Sequence, residues 1–257
     1  MKRLLILFAL LFVGGLCTLP GAVSQMPYIS SLREGNEPSL TKYLLHADGT
    51  NNQTSTIDSS SSANTMYMIG GAKIITAAKM FGTGSFYFTG TTDYVTSPAT
   101  TDFDVSSNIW TLDVWVNSTN NNAGNHIIFY QPGAGTYSWM NLLRITSNIQ
   151  FYMSSTSNSW APISGRQIGV ISTNSWNHIA IGRQGASLYY WLNGVQGTGS
   201  PTNIGASTSF MSCSNTIKIG NGGGGQYWYG YIDELRFTKG LCRWTNNFTP
   251  PTMSYGE

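Results

Sequence analysis

Charge is what this chain has least of: Asp, Glu, Lys and Arg make up 9% of its 257 residues. A surface so poor in ions is solvated by hydroxyl and amide groups, and Ser, Thr, Asn and Gly are abundant. The formal charge of +2 comes from 13 basic and 11 acidic residues, and without Lys2 and Arg3 there are 11 of each. That neutral balance, with no clustered Lys and Arg, excludes a nucleic-acid-binding face. Aromatics at 13% exclude the composition of a disordered chain, which has few of them and a high net charge.

Histidine and cysteine are also scarce, at three each. His46, His126 and His178 are scattered, without the H-x-H or H-E-x-x-H spacing that zinc requires. No G-x-S-x-G nucleophile turn occurs. Gly222–Gly225 is followed by Gln226 and Tyr227 rather than the Lys-Ser/Thr of a phosphate loop, so it reads as a hairpin connection.

There is one long apolar run. "MKRLLILFALLFVGGLC" places two basic residues before a stretch too short to cross a bilayer comfortably, and "AVSQ" follows with Ala22 and Ser24 small. It reads as a signal peptide over residues 1–24, cut before Gln25, which makes the protein secreted and leaves nothing to insert in a membrane. The alternative is an N-terminus left uncleaved as an anchor. Cleavage removes Cys17. Cys213 and Cys242 then form either one disulfide, worth about 2–4 kcal/mol, or two buried thiols. N-x-S/T sequons begin at Asn52, Asn117 and Asn247.

Residues 25–40 show no periodicity and read as an arm. Residues 41–251 form one domain, within reach of a single all-β unit at this length, and 252–257 a tail. Within the domain, short runs with strand character alternate with Gly-, Asn- and Ser-rich turns. In "IWTLDVWV", Trp110, Leu112, Val114 and Val116 share one face. "LYYWLNGVQ" carries Asn193-Gly194, the dipeptide preferred by a two-residue type I′ hairpin, where both central residues need positive φ. "KIITAAKMF" is the one short helical candidate. The pattern predicts an antiparallel two-sheet β-sandwich, a jelly roll.

"YWYGYIDELRF" sets Asp233 and Glu234 behind four aromatic residues. Adjacent residues on a strand point to opposite faces, so the two are poorly placed as the paired carboxylates of a glycosidase. The apolar period breaks between Ile232 and Leu235, which suggests a β-bulge at the acids. Glu234 is expected to be a surface charge. Trp110, Trp176 and Trp191 alternate with apolar residues and read as core. Trp139, Trp160 and Trp228, with Tyr227, sit among Gly, Ser and Asn, where exposed rings could stack on a pyranose.

From about Tyr43 to Pro251 the chain resembles the laminin G-like, concanavalin A-like lectin/glucanase jelly rolls, particularly those of bacterial secreted and phage-associated proteins. The resemblance rests on "LLHADG", "KMFGTGSFYFTGTTDYVTSP", "WTLDVWV", "SWNHIAIGRQGASLYYWLNG" and "GYIDELRFTKGLCRWTNNFTPP". It departs in "QYWYGY", where many members have a single aromatic. What the resemblance implies is a non-catalytic extracellular module that binds carbohydrate or glycoprotein, since the E-x-D-x-x-E strand of the related glucanases is missing. It also implies a structural calcium ion, with Asp233 as principal carboxylate and Asp48 supplementing it; a salt bridge or cap for Asp233 is the alternative. Two further function classes stand beside the binding module: a structural or adhesion protein without a working glycan site, and a hydrolase of the same fold. The sequence carries no signal of oligomeric state.

Overall fold

A computed structural model of the protein describes residues 39–105, 109–120, 122–133, 137, 139–210 and 216–256. The expected signal peptide, residues 25–38 of the arm, and Cys213 lie outside the described residues. In chain order the strands are β1 (Thr41–Leu45), β2 (Ser55–Ile57), β3 (Thr65–Ile69), β4 (Lys73–Ile75), β5 (Ser85–Thr89), β6 (Tyr94–Thr96), β7 (Ile109–Ser118), β8 (Asn125–Gln131) and β9 (Met140–Ile145). They continue as β10 (Asn148–Thr156), β11 (Ser159–Val170), β12 (Trp176–Gln184), β13 (Ser187–Leu192), β14 (Val195–Gln196), β15 (Thr202–Asn203), β16 (Lys218–Ile219) and β17 (Tyr229–Lys239).

These strands make two antiparallel sheets. Sheet A runs β14-β13-β12-β7-β17-β5-β4, with β1 added on β17 and β15 on β13; sheet B runs β11-β10-β9-β8-β16-β6-β3-β2. None of the described residues is helical, and "KIITAAKMF" is β4 followed by a loop. The all-β sandwich expected from the sequence is the fold.

The core between the sheets is built by alternation. Sheet A supplies Phe86, Phe88, Trp110, Leu112, Val114, Val116, Ile179 and Ile181; sheet B answers with Met66, Val95, Phe129, Leu142, Phe151 and Met153. At the β13–β14 turn, Asn193 and Gly194 have φ of 50° and 78°, as a type I′ turn demands. A side chain at Gly194 is excluded a second time, since its Cβ would lie 1.9 Å from the Phe248 carbonyl oxygen.

A second buried layer lies on the outer face of sheet A, where Leu44, Trp115 and Tyr255 pack with Met80, Phe81 and Trp176. The chain after β17 crosses this face. Trp191 Nε1 donates to the Asn246 carbonyl at 3.0 Å, and Trp244 stacks on Phe248 at 3.9 Å. Trp191, expected as core, is fully buried, but beneath this tail rather than between the sheets; Trp176, also expected as core, is half-buried in the same outer layer. Tyr255 is buried, so packing extends past the expected boundary at residue 251.

Candidate functional site

The acids of "YWYGYIDELRF" are not on the surface. Against β7, Asp233 pairs with Trp115 and Arg236 with Asp113, so β17 carries one residue more than its partner, and Glu234 has φ 48°. This is the bulge that the broken period suggested. It turns Ile232, Leu235 and Phe237 into the core and leaves Asp233, Glu234 and Arg236 on the outer face of sheet A, beneath the second layer. Glu234 is therefore not the surface charge expected. It is fully buried, meets His46 Nδ1 at 3.0 Å and accepts the Tyr255 backbone N–H at 3.0 Å.

The same geometry tests the calcium expectation. Asp233 Oδ2 accepts the backbone N–H groups of Met80 at 2.8 Å and Phe81 at 3.2 Å, and Oδ1 accepts that of Glu234 at 2.9 Å. Asp48 Oδ1 accepts the Thr83 and Gly84 N–H groups and the Thr83 hydroxyl. A calcium ion takes six to eight oxygen ligands. Here both carboxylates face N–H donors, and no group of three or more His, Cys, Asp or Glu side chains among the described residues could hold a metal. Asp233 and Asp48 do not fit that role: they cap the loop between β4 and β5. Burial pushes the Asp233 carboxyl up to about 7, opposed by the Met80 and Phe81 N–H groups.

Two of the expected ligand-stacking rings are also elsewhere. Trp139 and Trp228 are fully buried, Trp139 beside Trp110 and Trp228 beneath the Arg144 guanidinium, so neither can stack on a sugar. Short apolar side chains around them are too few in sequence to reveal this, because the rings are buried by residues distant along the chain. Cys242 is buried and its thiol donates to the Trp244 carbonyl; burial pushes its pKa up to about 12.

Trp160 is different. It is half-buried on β11, edge-on to Tyr137 at 5.4 Å and to Tyr152 at 5.2 Å. Tyr152 begins a row that crosses the outer face of sheet B at right angles to its strands. It pairs with Asn141, Asn141 with Tyr130, Tyr130 with Lys218, Lys218 with Thr96, and Thr96 with Tyr67. Each is the outward neighbour of a buried core residue: Phe151, Leu142, Phe129, Ile219, Val95 and Met66. The row spans five strand spacings, on the order of 24 Å. Tyr67 is 49% exposed at one end, and the Tyr137–Trp160–Tyr152 cluster closes the other. Asn141 Oδ1 is buried without a hydrogen-bond partner among the described residues, a state that water or ligand normally relieves. Tyr227, half-buried, lies off the row in the 221–227 hairpin, where Gly222 approaches Ile127 so closely that a Cβ would lie 2.7 Å from it. Of the expected ligand residues, the structure thus places only Trp160 with the row. Tyr67, Lys218, Tyr130, Asn141 and Tyr152 were not singled out in the sequence, because polar and aromatic residues at the outward parity of a strand are what any solvated sheet face carries.

A family model described as Laminin_G_3, concanavalin A-like lectin/glucanases superfamily, matches residues 89–242. Among curated proteins none matches the sequence. Among solved structures, the chain is similar to domain 4 of AbnA, a GH43 extracellular arabinanase from Geobacillus stearothermophilus in complex with arabinotriose, with TM-score 0.53 and 17% identity over 79% of this chain and 93% of that one. It is also similar to the binding domain of Paraclostridial Mosquitocidal Protein 1, with TM-score 0.62 and 12% identity over 80% of this chain and 50% of that one. The Botulinum neurotoxin serotype D binding domain gives 0.56 and 11%, over 82% and 49%. The chain spans nearly all of the arabinanase domain and about half of each toxin domain. At these identities the likeness is one of fold.

Proposed function

This chain belongs to the Laminin_G_3 family of the concanavalin A-like lectin/glucanase superfamily, and we propose that it is a non-catalytic, exported carbohydrate-binding module whose glycan lies along the row from Tyr152 to Tyr67. The continuous transverse row carries this reading. Rigid rings at its ends offer apolar area for the C–H faces of pyranoses, at little entropic cost, while Asn141 and the Thr96 hydroxyl oxygen, whose hydrogen goes to the Ile217 carbonyl, lie between them as polar groups for hydroxyls. The arabinotriose-bound arabinanase domain gives the fold a precedent for sugar binding. Hydrolysis is disfavoured because none of the strands of sheet B contains Asp or Glu, whereas a glycosidase sets two carboxylates about 5–10 Å apart across the bond it breaks.

Mutation separates binding from folding. Trp160→Ala, with Tyr152→Ala as a second variant, should weaken the response to the best ligand of a glycan array at least tenfold, roughly 1.4 kcal/mol, with little change in melting temperature. Trp228→Ala should do the reverse, losing about 3–5 kcal/mol of stability. A protein that binds no glycan, or binds equally well without Trp160 and Tyr152, is not this module.

A further inference from the structure

We infer that the glycan taken by the outer face of sheet B is anionic, with a carboxylate or sulfate on the sugar held by Lys218. The inference rests on the reading above and adds the ligand's charge. Lys218 lies inside the row, between Thr96 and Tyr130. It is half-exposed, and its ammonium lies 5.1 Å from the centroid of the Tyr94 ring, itself on the outer face of β6. That contact holds the cation in place without neutralising it.

The strands of sheet B contain no acidic residue, and among the described residues no salt bridge involves Lys218. Three acids elsewhere are committed to the chain itself. Asp58 accepts the N–H groups of Leu44, Ser60 and Asn64; Asp93 accepts those of Gly71 and Thr89; and Asp113 pairs with Arg236. The other cations of the sheet do not join Lys218. Arg144 is buried over Trp228, and Arg166 lies against Gly199 at the β11 edge.

Near its middle the track of rings, hydroxyls and an amide thus carries a cation, Lys218, in no salt bridge among the described residues. A neutral sugar gains little from an ammonium that water already solvates. A sugar carboxylate or sulfate gains a charge-assisted hydrogen bond, with no carboxylate on the face to oppose it. The face therefore distinguishes charged from neutral forms of the same backbone.

Affinity electrophoresis of the full chain tests this with matched polymers: polygalacturonate against its methyl ester, and dextran sulfate against dextran. At low salt the expected result is at least tenfold tighter binding of one charged polymer than of its neutral partner. The pair that responds identifies carboxylate or sulfate. Lys218→Gln should abolish that preference, as should high salt. Lys73→Gln, on β4 of the other sheet, should leave it intact and so exclude a response to overall charge. Equal binding of charged and neutral polymers, or a preference that survives Lys218→Gln, overturns the inference. The carbohydrate reading survives that result if neutral binding still depends on Trp160. If no glycan binds, both fall.

Discussion

The backbone N–H of Tyr255 donates to Glu234 at 3.0 Å, while the same carboxylate meets His46 at 3.0 Å. One buried acid thereby ties the chain after β17 and the segment after β1 to the same point on the outer face of sheet A.

Glu234→Gln breaks this arrangement without changing its shape, because the amide nitrogen must face either the Tyr255 N–H or a His46 Nδ1 that carries its proton toward Glu234 in the wild type. An unsatisfied buried donor costs about 1–3 kcal/mol. At roughly 2–4 °C per kcal/mol for a domain of this size, melting should fall by several degrees. Limited proteolysis should cut sooner after residue 241. An unchanged melting curve would mean that the acid does not hold the tail.

How far the sequence carried can be seen at single residues. The shared face of Trp110, Leu112, Val114 and Val116, the Asn193-Gly194 turn and the bulge at Asp233 were legible because each is a local pattern of period or turn chemistry. The side on which Trp191 lies was not. Alternation says which residues share a face, and once a tail covers the outer face of sheet A, both faces of β12 and β13 are largely buried. The row was illegible for another reason. The strands "NLLRIT", "IQFYM" and "TIKIG" could be read, but Lys218 meets Thr96 and Tyr130 only through pairing between β16, β6 and β8, which are far apart in the chain. Period fixes the face of a strand; partner and register depend on the whole sheet.

Asp113 and Arg236 form a bidentate pair at 3.0 and 3.1 Å, with His178 Nε2 3.5 Å from the same carboxylate and the Tyr255 ring 3.8 Å from the guanidinium. Arg236→Met leaves the buried Asp113 without its guanidinium partner, with His178 3.5 Å away, and should cost about 3–5 kcal/mol in chemical denaturation. Adding Asp113→Leu should recover much of that loss. If it does not, the deficit comes from packing against Tyr255 rather than from the orphaned charge.

The pair also fixes an acid limit. Burial alone would raise the Asp113 carboxyl, but Arg236 and His178 outweigh it and hold the group well below the usual carboxylate range. A folded-state pKa below the unfolded one gives stability that is present above about pH 4 and lost as pH falls further. Melting temperature should therefore drop steeply below pH 4. Asp113→Asn, less stable at neutral pH, should show a shallower drop; parallel curves would show that other carboxylates set the limit.

Asp233 should act in the opposite direction and in a different window. Burial raises its carboxyl to about 7, against the pull of the Met80 and Phe81 N–H groups and with the Glu234 carboxylate adding to the rise. Between about pH 4, where the unfolded chain releases this proton, and pH 7, where the folded one does, the fold holds the extra proton. Its contribution to stability therefore declines as pH rises through that interval and is constant above it. Asp233→Asn cannot titrate, and its amide nitrogen must confront a backbone N–H of Met80, Phe81 or Glu234, so the variant is less stable throughout. The measurable signature is the difference in melting temperature between wild type and variant, which should be largest at about pH 4 and shrink as pH rises to 7, then stay constant. A difference independent of pH would show that Asp233 keeps one protonation state across the range. Millimolar calcium or chelator should shift neither curve, because both oxygens of the carboxylate already accept backbone N–H groups. A rise in the wild-type curve alone on adding calcium would return Asp233 to the role of a metal ligand.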